Sequence, residues 1–191
     1  YTSQGDLNLA IKSSHGEFPR MVIAPGDVAE SYYDTFDAFN YADRYQVPVI
    51  GMVDKFIAST YRDFPIFNGD GMKVDRGNIL MEEDLAKIQD YRRYQFNELG
   101  ISPRSIPGQK GGIFWTTGDE HDEYGHITEA SEVRVRMMNK RMRKIQLADE
   151  VIPTQRRQHF TVPGKRPSPS SDGVLLKEQY STVWRTFGLT E

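Results

Sequence analysis

The amino-acid sequence predicts an α/β fold with a parallel sheet, and three consecutive segments carry that prediction. Residues 21–24 are a short apolar run that ends at Pro25 and Gly26, as expected of a buried strand followed by a turn. Residues 28–45 have helical periodicity, and residues 47–53 form a second apolar run rich in β-branched side chains. A strand, a helix and a strand in this order form a βαβ unit, which is typical of a parallel sheet.

The helix over residues 28–45 has a defined start. Asp27 is a favourable N-cap residue, and Glu30 stands three residues later, as in a capping box. Steps of three and four residues predict one apolar face for this helix, made of Val28, Tyr32, Phe36, Phe39 and Ala42. Residues 47–53 are apolar at both odd and even positions, so both faces of the strand would be apolar, which favours a strand covered on both sides. Pro48 fits only at the beginning of such a strand.

After Asp54 the pattern becomes irregular. Residues 57–65 leave the predicted sheet, and residues 67–79 contain turn signals. Residues 82–94 fit a short solvated amphipathic helix, whereas residues 100–112 are a loop rich in glycine and proline.

Residues 132–147 predict a second long helix with a strongly basic surface. Its apolar stripe is predicted to consist of Val135, Met138, Met142 and Ile145. The basic residues are then expected to face solvent, namely Arg134, Arg136, Lys140, Arg141, Arg143 and Lys144. Residues 155–173 have the composition of a linker, and residues 174–191 are compatible with a further helix.

Composition excludes several classes of function. The chain has 191 residues and no cysteine, so thiolate catalysis, disulfides and iron–sulfur clusters bound by its own cysteines are excluded. A net charge of −3 does not favour a nucleic-acid partner. No apolar run approaches the roughly 20 residues that a membrane span needs. We therefore expect a cytoplasmic protein with neither nucleic acid nor membrane as a partner.

The densest group of titratable residues lies at 119–126, with four carboxylates and two histidines in eight positions. Glu120, His121 and His126 would be the candidates for a metal-dependent hydrolase. The two histidines are five residues apart with Gly125 between them, so they do not share one helix face as in a helical zinc site. The alternative is a loop whose carboxylates accept backbone N–H groups and cap the helix that follows.

Several short strings occur in an order and spacing that resemble one family. They are Gln4-Gly5-Asp6-Leu7, Gly16-Glu17-Phe18-Pro19-Arg20, Ala24-Pro25-Gly26-Asp27, Ala38-Phe39-Asn40-Tyr41-Ala42, Tyr45-Gln46-Val47-Pro48-Val49-Ile50, Asp54-Lys55, the loop Gly118-Asp119-Glu120-His121-Asp122-Glu123-Tyr124-Gly125-His126, and Met138, Lys140, Arg141 and Lys144. From about residue 3 to residue 150 the sequence resembles the alpha subunit of the 2-oxoacid:ferredoxin oxidoreductases, and most closely the 2-oxoglutarate type.

The resemblance implies an enzyme subunit and a reaction. A 2-oxoacid, here 2-oxoglutarate, is oxidatively decarboxylated, coenzyme A takes the acyl group, and ferredoxin takes the electrons. The implied cofactors are thiamine diphosphate and Mg²⁺, shared with a partner beta subunit, and an iron–sulfur cluster on that partner. The absence of cysteine agrees with this division. A non-catalytic α/β interaction module is the alternative from another class.

The resemblance also implies how the chain is divided into domains and connecting segments. Residues 1–60 would be the second half of a pyrimidine-binding α/β domain, residues 61–150 a loop-rich connection with the charged helix, and residues 151–191 a divergent tail or the start of another domain. The family's substrate-binding motif Tyr-Pro-Ile-Thr-Pro is absent from this sequence, so we expect this segment to be inactive alone. Gln4, Gly5 and Asp6 are the expected pocket-lining residues, and no residue is assigned as catalytic or as a metal ligand.

Overall fold

The computed structural model describes residues 3, 5–16 and 18–152. In chain order its elements are α1 (Asp6–Lys12), β1 (Met21–Ile23), α2 (Val28–Tyr45), β2 (Val49–Gly51), α3 (Lys55–Ala58), α4 (Glu82–Leu85) and α5 (Ser131–Val151). Between residues 59 and 130 the chain is mostly irregular, as the sequence predicts. Gln4, Glu17 and the expected tail beyond residue 152 lie outside the described residues.

The predicted βαβ unit is confirmed. Strands β1 and β2 pair in parallel, with Met21 opposite Val49 and Ile23 opposite Gly51, and α2 is the connection between them. The side chain of Asp27 accepts the backbone N–H of Glu30 at 2.8 Å, and the Glu30 carboxylate accepts the N–H of Gly26 at 2.6 Å. These two hydrogen bonds satisfy backbone donors at the helix start, as the sequence predicts.

The predicted burial of this unit is partly wrong. Phe39 is 68% exposed and Tyr32 is 41% exposed, whereas Tyr45 is the buried residue of α2. Residues 47–53 form only a three-residue strand, and Val53 at their end is 47% exposed. An open groove of about 270 Å³ runs along α2 and the sheet. Within the described residues, one side of α2 and of β2 therefore has no cover, and the predicted two-sided burial of the strand is not found.

The core of the described residues lies where α5 meets the sheet and the C-terminal end of α2. Met21, Tyr45, Val47, Ala148 and Ile152 are buried together. These residues come from β1, from the end of α2 and the segment that follows it, and from the end of α5 with its C-cap residue, so the core joins segments that are far apart in the sequence. Residues 21–47 and α5 are thereby held in one packed unit.

The short helix predicted at residues 82–94 is much shorter in the structure. Only α4 is helical, and the chain then follows turns to residue 100. The backbone N–H of Tyr94 donates to the carbonyl of Glu123 at 2.9 Å, and that of Phe96 donates to the Glu123 carboxylate at 2.8 Å. Tertiary hydrogen bonds thus satisfy donors that would otherwise stabilise helix.

Helices α1 and α3 were not predicted from the sequence. In α3, the side chain of Asp54 accepts the backbone N–H of Ile57 at 2.7 Å and so caps the helix.

Helix α5 confirms the second long helix, and Ile145 of the predicted apolar stripe packs against the core, but the most buried face is a different one. Val135 is 59% exposed, while the buried face carries Met137, Lys140, Lys144 and Ala148. These residues follow steps of three and four, so the buried stripe is rotated relative to the predicted one. The expectation that all six basic residues face solvent is wrong for Lys140 and Lys144, which are 6% and 9% exposed.

No helix among the described residues is long and apolar enough to cross a membrane.

Candidate functional site

The acidic segment predicted from the sequence forms a small, closely hydrogen-bonded loop. A β-bridge pairs His121 with Ile127, and the N–H of Asp122 donates to the carbonyl of His126 at 2.9 Å. Gly125 has a φ of +92°, and a β-carbon there would lie 2.3 Å from the carbonyl oxygen of Trp115. The turn of this loop therefore requires glycine both for its backbone conformation and for the close approach of a neighbouring chain segment.

Two carboxylates of the loop hold backbone amides. Asp122 Oδ1 accepts the N–H of Tyr124 at 2.9 Å and that of His126 at 3.0 Å. Glu123 accepts the N–H of Phe96 at 2.8 Å, and its other oxygen lies 3.3 Å from Arg92 Nη1. Asp122 therefore closes the loop itself, whereas Glu123 ties the loop to residues 92–96.

Glu120 connects the loop to the middle of α5. Its carboxylate faces the guanidinium of Arg141 with both oxygens, in a two-point contact. Partial burial raises the pKa of Glu120, but the hydrogen bonds and charge of Arg141 outweigh that effect and hold the pKa below its ordinary value. The loop was expected to cap α5, but the N-cap is Ala130 without a side-chain cap. The loop instead holds the helix from its side.

The two histidines have different surroundings. His121 is 8% exposed; its Nδ1 lies 2.7 Å from the carbonyl oxygen of Asp122, and its ring centroid lies 4.1 Å from that of Tyr94. Because a carbonyl only accepts, Nδ1 must carry the proton in this contact. His126 is more exposed, and its Nδ1 lies 3.8 Å from Asp122 Oδ2. Within the described ranges, no three His, Asp or Glu side chains converge in a way that would hold a metal ion.

The other predicted site lies at the start of the described chain. Gly5 is the N-cap of α1, and Asp6 Oδ2 accepts the N–H of Ser3 at 2.7 Å. This hydrogen bond fixes the turn before α1. Neither Gly5 nor Asp6 lines the groove beside α2, and Gln4 lies outside the described residues. The pocket-lining role of these three residues therefore stays a prediction.

The sequence reasoning missed a group of buried cations around Gln46. Lys144 Nζ donates to the backbone carbonyl of Gln46 at 3.0 Å, and Arg93 Nη1 donates to the Gln46 side-chain oxygen at 3.1 Å. Gln46 Nε2 in turn donates to the carbonyl of Ser102 at 2.7 Å. Gln46 is the C-cap of α2, with a left-handed φ of 52°. One residue thus joins α2 to α5 and to two irregular segments.

Burial perturbs these cations. Removal from water and the nearby charges of Lys144, Arg93 and Arg141 lower the pKa of Lys140 to about 7. Burial and the charges of Arg93 and Arg141 lower the pKa of Lys144 to about 8. The spacing of Lys140 and Lys144, one turn apart and in phase with Met137 and Ala148, was the sequence signal for their burial.

Comparison with known proteins identifies the family. Residues 1–140 match the family described as "Pyruvate flavodoxin/ferredoxin oxidoreductase, thiamine diP-bdg". The chain is 42% identical to 2-oxoacid:ferredoxin oxidoreductase 1, subunit alpha, of Sulfurisphaera tokodaii over 82% of this chain and 24% of that protein. It is also 42% identical to the 2-oxoacid:ferredoxin oxidoreductase alpha subunit of Saccharolobus solfataricus, over the same shares. The chain thus spans about a quarter of these relatives' length.

A solved structure is similar as well. The 2-oxoglutarate:ferredoxin oxidoreductase of Magnetococcus marinus, with 2-oxoglutarate, coenzyme A and succinyl-CoA bound, superposes with a TM-score of 0.71 at 29% identity. The similarity covers 80% of this chain and 26% of that one. The α/β architecture with parallel strands is therefore shared with a known member of the family.

The described residues do not by themselves form a site for thiamine diphosphate. They bring together no set of three acidic or histidine side chains for the metal ion that accompanies a diphosphate. The groove beside α2 is lined mainly by aliphatic and aromatic side chains. On the sequence match and the shared fold, the chain belongs to the pyruvate flavodoxin/ferredoxin oxidoreductase family, with residues 1–140 corresponding to its thiamine-diphosphate-binding domain.

Proposed function

We propose that this chain is a portion of the alpha subunit of a 2-oxoacid:ferredoxin oxidoreductase whose 2-oxoacid is 2-oxoglutarate. In the proposed reaction, 2-oxoglutarate, coenzyme A and two oxidised ferredoxins yield succinyl-CoA, carbon dioxide, two reduced ferredoxins and a proton. The carbon–carbon bond to the carboxylate breaks, a thioester bond forms, and two electrons leave one at a time. Thiamine diphosphate, when bound, would supply the chemistry of such a decarboxylation.

The observation that carries this proposal is the superposition on the Magnetococcus marinus enzyme, with a TM-score of 0.71 at 29% identity. That protein holds 2-oxoglutarate, coenzyme A and succinyl-CoA, which are the proposed substrates and the product. The 42% identity to two alpha subunits named for 2-oxoacids supports the broader substrate class. The choice of 2-oxoglutarate among the 2-oxoacids rests on the structural neighbour.

The cofactors and partners follow from the same proposal. Thiamine diphosphate and Mg²⁺ would lie between this subunit and a beta subunit, which would also carry the iron–sulfur cluster. The chain has no cysteine with which to bind such a cluster. Ferredoxin would accept the electrons at the assembled complex. Because ferredoxin and coenzyme A would have to reach the enzyme in the cytoplasm, we propose a cytoplasmic location for the complex.

The proposal assigns a role to each segment. Residues 1–60 would form the second half of the pyrimidine-binding domain, and residues 61–150 would connect it to the next part of the subunit, which residues 151–191 would begin. Gln4, Gly5 and Asp6 would line the pocket, with Asp6 acting through its hydrogen bond to Ser3. The loop of Glu120, His121, Asp122, Glu123 and His126 would hold α5 and residues 92–96 in place rather than take part in chemistry.

The test uses the full-length gene product together with its beta subunit. The complex is supplied with thiamine diphosphate, Mg²⁺, coenzyme A and a low-potential viologen dye, and each of 2-oxoglutarate, pyruvate and 2-oxobutyrate is added in turn. We expect dye reduction that depends on both coenzyme A and 2-oxoglutarate, with higher kcat/KM for 2-oxoglutarate than for the other two. Faster turnover of pyruvate would overturn the substrate assignment. Absence of reduction with every 2-oxoacid would favour the non-catalytic interaction module.

A further inference from the structure

Helix α1 has little apolar burial with which to hold its position. None of its seven residues is buried, and Leu9 in the middle of the helix is 69% exposed. Burial of apolar side chains is the main favourable term in folding, and a helix of two turns is too short to be stable without tertiary contacts. Contacts at the ends of α1 must therefore fix its place beside β1.

The connection between α1 and β1 contains two residues in the left-handed conformation. Ser13, the C-cap of α1, is extended, whereas Ser14 has a φ of 74° and Gly16 has a φ of 77°. This conformation is unfavourable for a residue with a β-carbon, such as Ser14. Strained backbone of this kind persists where the surrounding contacts hold it in place.

The side chain of Arg20 makes such contacts. Arg20 is 4% exposed, and its Nη1 donates to the backbone carbonyl of Ser13 and lies 3.3 Å from Ser13 Oγ. The Ser13 hydroxyl donates in turn to the carbonyl of Ala10, in the last turn of α1, at 3.1 Å. The guanidinium also lies 4.1 Å from the ring centroid of Phe18. A buried cation thus holds the C-terminal end of α1, where the carbonyl groups are partly negative.

The sheet fixes the position of Arg20 itself. The next residue, Met21, begins β1; it is 5% exposed, and its N–H donates to the carbonyl of Pro48 at 2.9 Å. The opposite end of α1 carries Gly5 as its N-cap and Asp6 as its first residue. Because α1 is only about 10 Å long, release of its C-terminal end would also displace Gly5 and Asp6.

We propose that Arg20 is a positioning residue for the expected pocket segment at Gly5 and Asp6. It acts through Ser13 and α1 rather than by contact with the substrate. The inference rests on the proposed function, because the pocket role of Gly5 and Asp6 belongs to that proposal. The contact between Arg20 and Ser13 does not depend on it, so the hold on α1 and its effect on the reaction are measured separately.

The experiment uses the full-length alpha subunit assembled with its beta subunit. Arg20→Met removes the charged donors and keeps an apolar stem, whereas Arg20→Lys keeps the charge. Lys12→Met is the matched control, because Lys12 is an exposed cation in the last turn of the same helix. Hydrogen exchange is measured for the amides of α1 and of α2. Steady-state dye reduction gives kcat and the separate KM values for 2-oxoglutarate and coenzyme A.

In Arg20→Met we expect about tenfold faster exchange in α1, with the exchange of α2 unchanged. We also expect an about tenfold higher KM for 2-oxoglutarate, with the KM for coenzyme A unchanged. Arg20→Lys should restore most of both properties, and Lys12→Met should match the wild type. General loss of folded enzyme would lower kcat without raising one KM selectively.

Unchanged exchange of α1 in Arg20→Met would overturn the proposal, because the contact with Ser13 would then not hold the helix. Faster exchange with an unchanged KM for 2-oxoglutarate would also overturn it, since Arg20 would then have a structural role alone. If Arg20→Met does not assemble, Arg20→Gln enters the same comparison. A wild-type complex without turnover of 2-oxoglutarate would overturn the proposed function and this role with it, whereas an active wild type with either result above contradicts the role of Arg20 alone.

Discussion

Lys144 donates its ammonium to the backbone carbonyl of Gln46 at 3.0 Å, across 98 positions of sequence. Gln46 ends α2 in the left-handed conformation, so this hydrogen bond places a positive charge at the C-terminal end of that helix. A cation at this end is favourable because the terminal carbonyl groups of a helix are partly negative. The contact fixes the position of α5 relative to the βαβ unit.

The first prediction concerns Lys144→Met. The change removes the hydrogen bond and leaves a carbonyl of Gln46 without its charged partner, which costs about 1 to 2 kcal/mol. Because α5 is held to α2 by this contact, its amides should exchange hydrogen faster in the full-length subunit. Arg134→Met removes a charge from the exposed side of the same helix and should leave the exchange unchanged. Equal exchange in the wild type and Lys144→Met would contradict the account.

Lys140→Met should have the opposite effect. The side chain of Lys140 is buried, and the structure shows no ion pair for it among the described residues. Burial first and neighbouring cations second lower its pKa to about 7, and they outweigh the opposing effect of the Glu123 charge. Replacement of a buried, incompletely paired charge by an apolar side chain is often stabilising. At pH 6.5 we therefore expect Lys140→Met to have a higher melting temperature than the wild type.

The pH dependence of that difference has a defined sign. The folded-state pKa of Lys140 lies below the ordinary lysine value of 10.5, so the unfolded chain binds more protons between about pH 7 and pH 10.5. The stability contribution of wild-type Lys140 therefore rises with pH across this window, and its penalty is complete below it. The advantage of Lys140→Met should shrink from pH 6.5 to pH 9.5. An advantage that grew with pH would contradict the assignment.

Glu120 and Arg141 offer a test of the loop's structural role. We expect Glu120→Gln to cost about 1 to 2 kcal/mol, because Arg141 loses a charged two-point partner. The folded-state pKa of Glu120 is lowered, so this contribution is present above the unfolded pKa and is lost as the pH falls through the folded pKa. The melting temperatures of wild type and Glu120→Gln should converge in acid. Glu129→Gln, at an exposed carboxylate after the loop, should have little effect at any pH.

Gly125→Ala should disrupt the loop. The glycine has a φ of +92°, and the new methyl group would lie 2.3 Å from the Trp115 carbonyl oxygen. Gly118→Ala is the control, because a β-carbon at Gly118 meets no atom within 4 Å. We expect Gly125→Ala to lower the melting temperature by several degrees and Gly118→Ala to leave it nearly unchanged. Similar melting temperatures for the two variants would contradict this prediction, because the loop would then accept the methyl group without loss of folding free energy.

The parts of the fold that local signals specify were predictable. Asp27 and Glu30 marked the start of α2, and the apolar runs on either side marked the two strands. The buried stripe of α5 was not predictable from apolar spacing, because two of its positions are lysines. Lys144 donates a hydrogen bond to a carbonyl 98 positions away, and only the tertiary fold shows this contact. The irregular path near residue 94, to which the sequence predicted helix, is likewise held by a distant residue, Glu123.

The acidic loop was correctly located, but its contacts depend on partners far along the chain. The sequence favoured hydrogen bonding to backbone amides over a helical zinc site, and Asp122 and Glu123 accept such amides. It did not predict the link from Glu120 to Arg141, which lies 21 positions later. Nothing among the described residues tests the pocket role of Gln4, Gly5 and Asp6, so it stays a prediction.

The central claim is tested most directly by product stoichiometry in the complete enzyme. Purified full-length alpha subunit and its beta subunit are given 2-oxoglutarate, coenzyme A and oxidised ferredoxin, and succinyl-CoA, carbon dioxide and reduced ferredoxin are measured together. The account predicts one succinyl-CoA and one carbon dioxide for every two ferredoxins reduced. Carbon dioxide release without a thioester or without ferredoxin reduction, or no reaction at all, would contradict it.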